Sequence, residues 1–193
     1  MYGMVNRAIK DLVEASAGTE TWERICERAG LSVTTFSNTT VYDDTVTYDL
    51  VAAASEELNL DPADVLQRFG RHWILFTGRE GWGPLFDMAG SDLRSFVDGL
   101  DAMHARVQAS MPACRMPTFS VEESDDGSLL VEYRSEREGL GPMVVGLLSG
   151  LAEHFGESWD VEQLNRRQGD LADYFRLRPV PAASRASEAV GSP

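Results

Sequence analysis

The sequence predicts an α+β fold: an N-terminal helical part packed on a C-terminal four-stranded antiparallel sheet with further helices. Three observations carry this. Apolar residues recur at three- and four-residue spacing through most of residues 1–111. Pro112 and Pro117 then stop the helical pattern, and alternation with period two begins. Two turn clusters, "SDDG" and "RQGD", each separate a pair of alternating runs, which gives four strands.

The elements follow in order. Met4, Val5, Ala8, Ile9, Leu12 and Val13 form the stripe of a first helix, and Thr19 caps a second that carries Trp22, Ile25 and Cys26 and ends at Gly30. A third helix starts near Thr45 and turns Val46, Leu50, Val51, Ala54 and Leu58 inward. Asp61, Pro62 and Asp64 supply the N-cap, first-turn proline and N3 acid of a fourth, which buries Leu66, Phe69 and Trp73. The three glycines and proline of "TGREGWGP" predict a loop, and Ser91 is expected to cap a long helix through Met111. Strands are expected near 118–123 and 128–137 around the Asp126-Gly127 turn, and near 158–166 and 172–178, with a helix in "GPMVVGLLSGLAEHFG" between the two pairs. The small, polar, proline-containing tail from about 179 to 193 is expected to be disordered.

Composition excludes several function classes. With 43% hydrophobic residues in 193, the chain can bury a real core. A net charge of −14 argues against nucleic acid, whose phosphates need clustered Lys and Arg, and against anionic membranes. No apolar run reaches the roughly 20 residues of a membrane span, and "MYGMVNRAIK" lacks a signal peptide's apolar core, so a cytoplasmic protein is expected. Cys26 and Cys114 have no CxxC spacing and read as reduced packing residues.

Two features call for a partner. In "VEYRSERE" the charged residues Glu132, Arg134, Glu136 and Glu138 share one face of a strand, which turns Val131, Tyr133, Ser135 and Arg137 inward. Unpaired inward donors are costly. In the long helix, Leu93, Val97, Leu100, His104, Val107 and Met111 form one stripe, so an imidazole faces the core; His72 and His154 fall outside such stripes and read as surface residues. One reading makes His104 a core histidine donating to a backbone carbonyl and the strand row a hydrogen-bond ladder, with Arg137 paired to Asp43 or Asp44. The other makes His104 an axial ligand and the row a cradle for two carboxylates, the combination that a heme demands. A hydrolase reading of Asp101, His104 and Ser135 is weak, because Asp101 and His104 are one helical turn apart and no G-x-S-x-G elbow surrounds Ser135; reaction with a serine-directed probe would revive it.

Tyr133-x-Ser135-x-Arg137, with His104 in "LDAMHARV" and Pro117 in "MPTF" upstream and "GPMVVGLLSGL" downstream, resembles the heme nitric oxide/oxygen binding (H-NOX) domain, bacterial stand-alone type, related to the heme domain of soluble guanylate cyclase. The resemblance runs from "MYGMVNRAI" to about residue 178 and implies one domain, its helical part about 1–60 and its heme-binding α/β part about 61–178, with the heme between them. It implies heme b with His104 as proximal iron ligand, Tyr133, Ser135 and Arg137 on the propionates, and Pro117 pressing on the porphyrin. It further implies a gas sensor without enzymatic activity of its own, signalling to a separate histidine kinase or cyclic-dinucleotide enzyme by release of His104 when nitric oxide binds. Oxygen-binding members carry a distal tyrosine where this chain has Met143; with Val5, Ile9, Trp73, Ile74 and Leu147 as expected neighbours, the distal pocket is mostly apolar. That predicts nitric oxide and carbon monoxide binding without a stable oxygen complex. The contrasting expectation is a heme-free small-molecule binding or scaffold protein, in which the same polar residues are satisfied within the core.

Overall fold

The computed structural model describes residues 1–164 and 172–181, and for residues 77–82 the backbone alone. Seven α-helices and four strands follow one another: α1 Gly3–Ala17, α2 Thr19–Arg28, α3 Asp44–Leu58, α4 Pro62–His72, a π-helical turn Trp73–Thr77, α5 Gly78–Ala89, α6 Leu93–Ser110, β1 Thr118–Glu123, β2 Leu129–Arg134, α7 Gly141–His154, β3 Trp159–Gln163 and β4 Ala172–Pro179. The sheet is antiparallel with order β1-β2-β4-β3. The "RQGD" turn and all but the first three residues of the expected tail lie outside the described residues.

Local chemistry sets the helix starts. Asp43 caps α3 by accepting from Thr45 N–H, and Asp61 caps α4 by accepting from Ala63 N–H with Pro62 in the first turn. The cap of α6 is Asp92, one residue after the expected Ser91, because Asp92 and Ser95 close a reciprocal capping box. The first turn of α2 is entered from Gly18 at φ 86°, so Thr19 is already helical.

One expectation is overturned. "TGREGWGP" belongs to the π-helical turn and α5, with Pro84 inside the helix. Glycine propensity is overridden because the following turn buries Phe86 and Ala89 against α6, and tertiary burial outweighs about 1 kcal/mol per glycine.

The interior holds two hydrophobic clusters. One, from α1 to α4, centres on Trp22, Ile25 and Leu50; the other joins α5, α6, α7 and the sheet around Phe96, Leu148 and Phe175. Trp73 packs against both. Helices α4 and α7 meet backbone to backbone: a Cβ on Gly70 would overlap the Met143 carbonyl oxygen, and one on Gly146 the Gln67 carbonyl oxygen. That contact brings Phe69 and Trp73 of one helix beside Met143 and Leu147 of the other.

Candidate functional site

A cavity of about 270 Å³ lies where these elements converge, walled mainly by Met4, Val5, Leu66, Phe69, Phe96 and Leu100 and by the residues that follow. His104 lines it from α6, and Tyr133, Ser135 and Arg137 line it from the end of β2 and the turn beyond. The three donors are therefore brought together, although not all on a strand. Strand β2 ends at Arg134, short of the expected 137, because its partner β1 begins at Thr118 and the preceding Pro117 has no N–H to continue the ladder.

For His104 the core hydrogen bond of the first reading is present, and it leaves the second nitrogen open. Its Nδ1–H donates to the Pro117 carbonyl at 3.1 Å, which leaves Nε2 as the nitrogen with a free lone pair. Donation of the second ring N–H to a carbonyl is how metal-bound imidazoles are commonly oriented, so this hydrogen bond is compatible with a ligand role. Burial pushes the imidazole pKa down, against the opposing pull of the Pro117 carbonyl and Asp101. The ring is thus neutral at physiological pH, as coordination requires. Phe119 adjoins His104 at 6.0 Å between ring centroids and Tyr133 at 5.2 Å. The sequence reading did not single out Phe119, yet its cross-strand register with Tyr133 is the signal that would have found it.

Asp44, and not Asp43, braces Arg137: its carboxylate accepts from Nε at 2.8 Å and Nη2 at 3.5 Å, and from the Met1 ammonium at 2.5 Å. Arg137 Nη1 also donates to the Arg115 carbonyl at 2.9 Å. Burial alone would push the Asp44 carboxyl up, but hydrogen bonds from Arg137 and the ammonium outweigh it and hold the pKa below the usual carboxylate range. Its stabilising effect is therefore fully present above the unfolded value of about 3.9 and is lost as pH falls through the lower folded value. With the side chain 39% exposed, solvent screening limits the effect to less than about 1 kcal/mol. We expect the difference in urea midpoint between the native chain and Asp44→Asn to be constant from pH 8 to 5 and to shrink below about pH 4; an unchanged difference at pH 3 would disprove this linkage.

Tyr133 is 5% exposed, and burial raises its phenol pKa against an opposing hydrogen bond with Ser135. It stays a neutral donor. Ser135 Oγ accepts from Arg137 N–H at 3.1 Å. No hydrolytic triad assembles: Asp101 accepts from Phe119 N–H at 3.0 Å, while His104 Nδ1 is held by Pro117.

Of the other expected residues, Val5, Trp73, Ile74, Pro117, Met143 and Leu147 line the cavity. Ile9 does not, and this is a correction. One turn beyond Val5, its side chain points into the α1–α4 cluster and borders a different cavity. His72 and His154 are half-buried, against the expectation of surface positions; His72 stacks on Phe76 at 4.9 Å and His154 meets Phe155 at 4.7 Å. Cys114, read as packing, also lines the cavity, as a free thiol.

These residues fit a heme: one neutral imidazole and, at the same apolar cavity, Tyr133, Ser135 and Arg137, donors of the kind two carboxylates need. Among the described residues no helix is long and apolar enough to cross a membrane.

The family model for haem-NO-binding matches residues 2–163. Soluble guanylate cyclase gcy-35 of Caenorhabditis elegans is 27% identical over 178 residues, 91% of this chain and 26% of its own length. Soluble guanylate cyclase gcy-32 of the same organism is 31% identical over 79% of this chain and 23% of its own length. The chain thus spans about a quarter of these relatives. In fold, it superposes on an H-NOX protein of S. oneidensis in the Fe(II)NO ligation state with a TM-score of 0.83, 20% identity and coverage of 94% of this chain and 100% of the other. An unliganded Fe(II) H-NOX protein mutant of K. algicida gives 0.82, 21% identity, and 96% and 100% coverage. With the histidine, the donor row and the fold all pointing one way, the chain belongs to the haem-NO-binding (H-NOX) family of heme-based gas-sensor domains.

Proposed function

We propose that this chain senses nitric oxide, and binds carbon monoxide, at ferrous heme b held by His104, without forming a stable oxygen complex. One observation carries the reading: His104, its Nδ1 fixed on the Pro117 carbonyl and its Nε2 thereby left with a free lone pair, lines the same apolar cavity as Tyr133, Ser135 and Arg137. When bound, the heme iron would supply the gas-binding position, and His104 would hold that iron. The chain does the rest. Tyr133, Ser135 and Arg137 hold the propionates, Asp44 keeps Arg137 oriented, and Pro117 presses on the porphyrin. Met143, Ile74 and Leu147 give the gas side no hydroxyl donor. Were His104 to leave the heme, α6 would be freed, and a separate histidine kinase or cyclic-dinucleotide enzyme in the cytoplasm would read the change.

The test is the visible spectrum of the anaerobically reduced protein before and after nitric oxide, carbon monoxide and air. A Soret band that shifts with both gases and forms no oxygen complex in air supports the reading; absence of a Soret band after hemin is supplied would overturn it in favour of a heme-free binding or scaffold protein. Met143→Tyr is expected to create an oxygen complex stable for minutes. If it does not, selectivity is not set by that donor, and Trp73, whose indole N–H has no partner among the described residues, becomes the group to replace.

A further inference from the structure

A second cavity, of about 360 Å³, lies between α1, α3 and α4, within the usual size range of small-ligand sites. Ile9 and Leu12 of α1, Ala54 and Leu58 of α3, and Val65 and Phe69 of α4 make it apolar. No carboxylate lines it, in a chain with 31 acidic residues against 17 basic ones. Its polar lining is instead Ser16, Arg68, Arg71 and His72. Arg71 is paired with Glu153 at 2.6 Å. Arg68 is exposed and makes no hydrogen bond or ion pair among the described residues.

An apolar chamber with an uncommitted guanidinium at its rim is complementary to a molecule with one alkyl chain and one anionic end. The chain gains by leaving water, and the head group gains a charge-assisted hydrogen bond. We propose that this cavity binds a medium-chain fatty carboxylate, its alkyl chain between α1, α3 and α4 and its carboxylate on Arg68. The occupant would also bear on the gas site, because Val51 and Phe69 line both cavities and the Phe69 ring meets Trp73 edge-on at 6.0 Å.

The test is isothermal titration calorimetry of the full chain with dodecanoate below its micellar concentration, as purified and after saturation with hemin. The expected result is one site with a Kd on the order of micromolar, retained after hemin loading. Arg68→Glu, a change at an exposed position, is expected to weaken binding at least tenfold, and uncharged dodecanol to bind at least tenfold more weakly than dodecanoate. Leu12→Trp, which fills the chamber, is expected to abolish binding; should it fail to fold, Arg68→Glu decides alone. Absence of binding, equal affinity in Arg68→Glu, or loss of the site on hemin loading overturns the proposal. None of these outcomes depends on which gas the other cavity takes.

Discussion

Replacing His104 with glycine is expected to lower heme retention at least tenfold, read as the ratio of Soret to protein absorbance, and millimolar imidazole is expected to restore it. The ring does two things at once. Its Nδ1–H satisfies the Pro117 carbonyl, and its Nε2 supplies the only uncommitted imidazole lone pair at this cavity among the described residues. Glycine removes both and leaves space between α6 and β1 that a free imidazole can occupy, donating to the same carbonyl with its other nitrogen. Rescue distinguishes a ligand from a structural group, since a packing defect alone would not regain a Soret band when a small base is added. A band kept at full strength without imidazole would remove His104 from the ligand role. Loss of heme would also lower the melting temperature, because a group bound only by the folded state stabilises it.

Gly146→Val is expected to be the most destabilising single change between helices α4 and α7. Even a methyl group there would meet the Gln67 carbonyl oxygen, with Arg71 N close by, and neither atom is the far end of a flexible side chain that can swing away. Overpacking typically costs about 1–3 kcal/mol, and clashes with backbone atoms on both neighbours put this change near the upper end, about 3 kcal/mol. For a chain of this length that corresponds to a loss of about 6–12 °C in melting temperature, measurable by circular dichroism. An unchanged melting temperature would mean that the two helices can separate without cost, contrary to the close contact. The cavity should change as well, since the shift would move Met143 and Leu147 away from Phe69 and Trp73, which also line it.

What could be read in the sequence was whatever is periodic or capped locally. The stripe through His104, the Asp61-Pro62 start of α4 and the alternation through Tyr133 each need only neighbours a few residues away. What could not be read depended on partners far along the chain. Asp43 and Asp44 are adjacent and chemically alike, but capping by Asp43 turns Asp44 onto the first turn of α3, where it meets Arg137 from 93 positions away. The α5 segment looked like a loop because glycine and proline are local signals, while burial of Phe86 and Ala89 is a tertiary one. Ile9 is expected beside the distal pocket by the resemblance alone, whereas its position one helical turn from Val5 places it in the other cluster. The early end of β2 follows from Pro117, which faces it from the neighbouring strand's approach and not from its own sequence.

The grip between α6 and β1 has a mechanical consequence. Two hydrogen bonds join them within one helical turn, His104 to the Pro117 carbonyl and Phe119 N–H to Asp101. Strand β1 is one of the two edge strands of the sheet and pairs only with β2 among the described residues. A displacement of the imidazole would therefore pull on the segment that leads into β1, at a border of the sheet where the backbone groups of β1 face no other strand among the described residues.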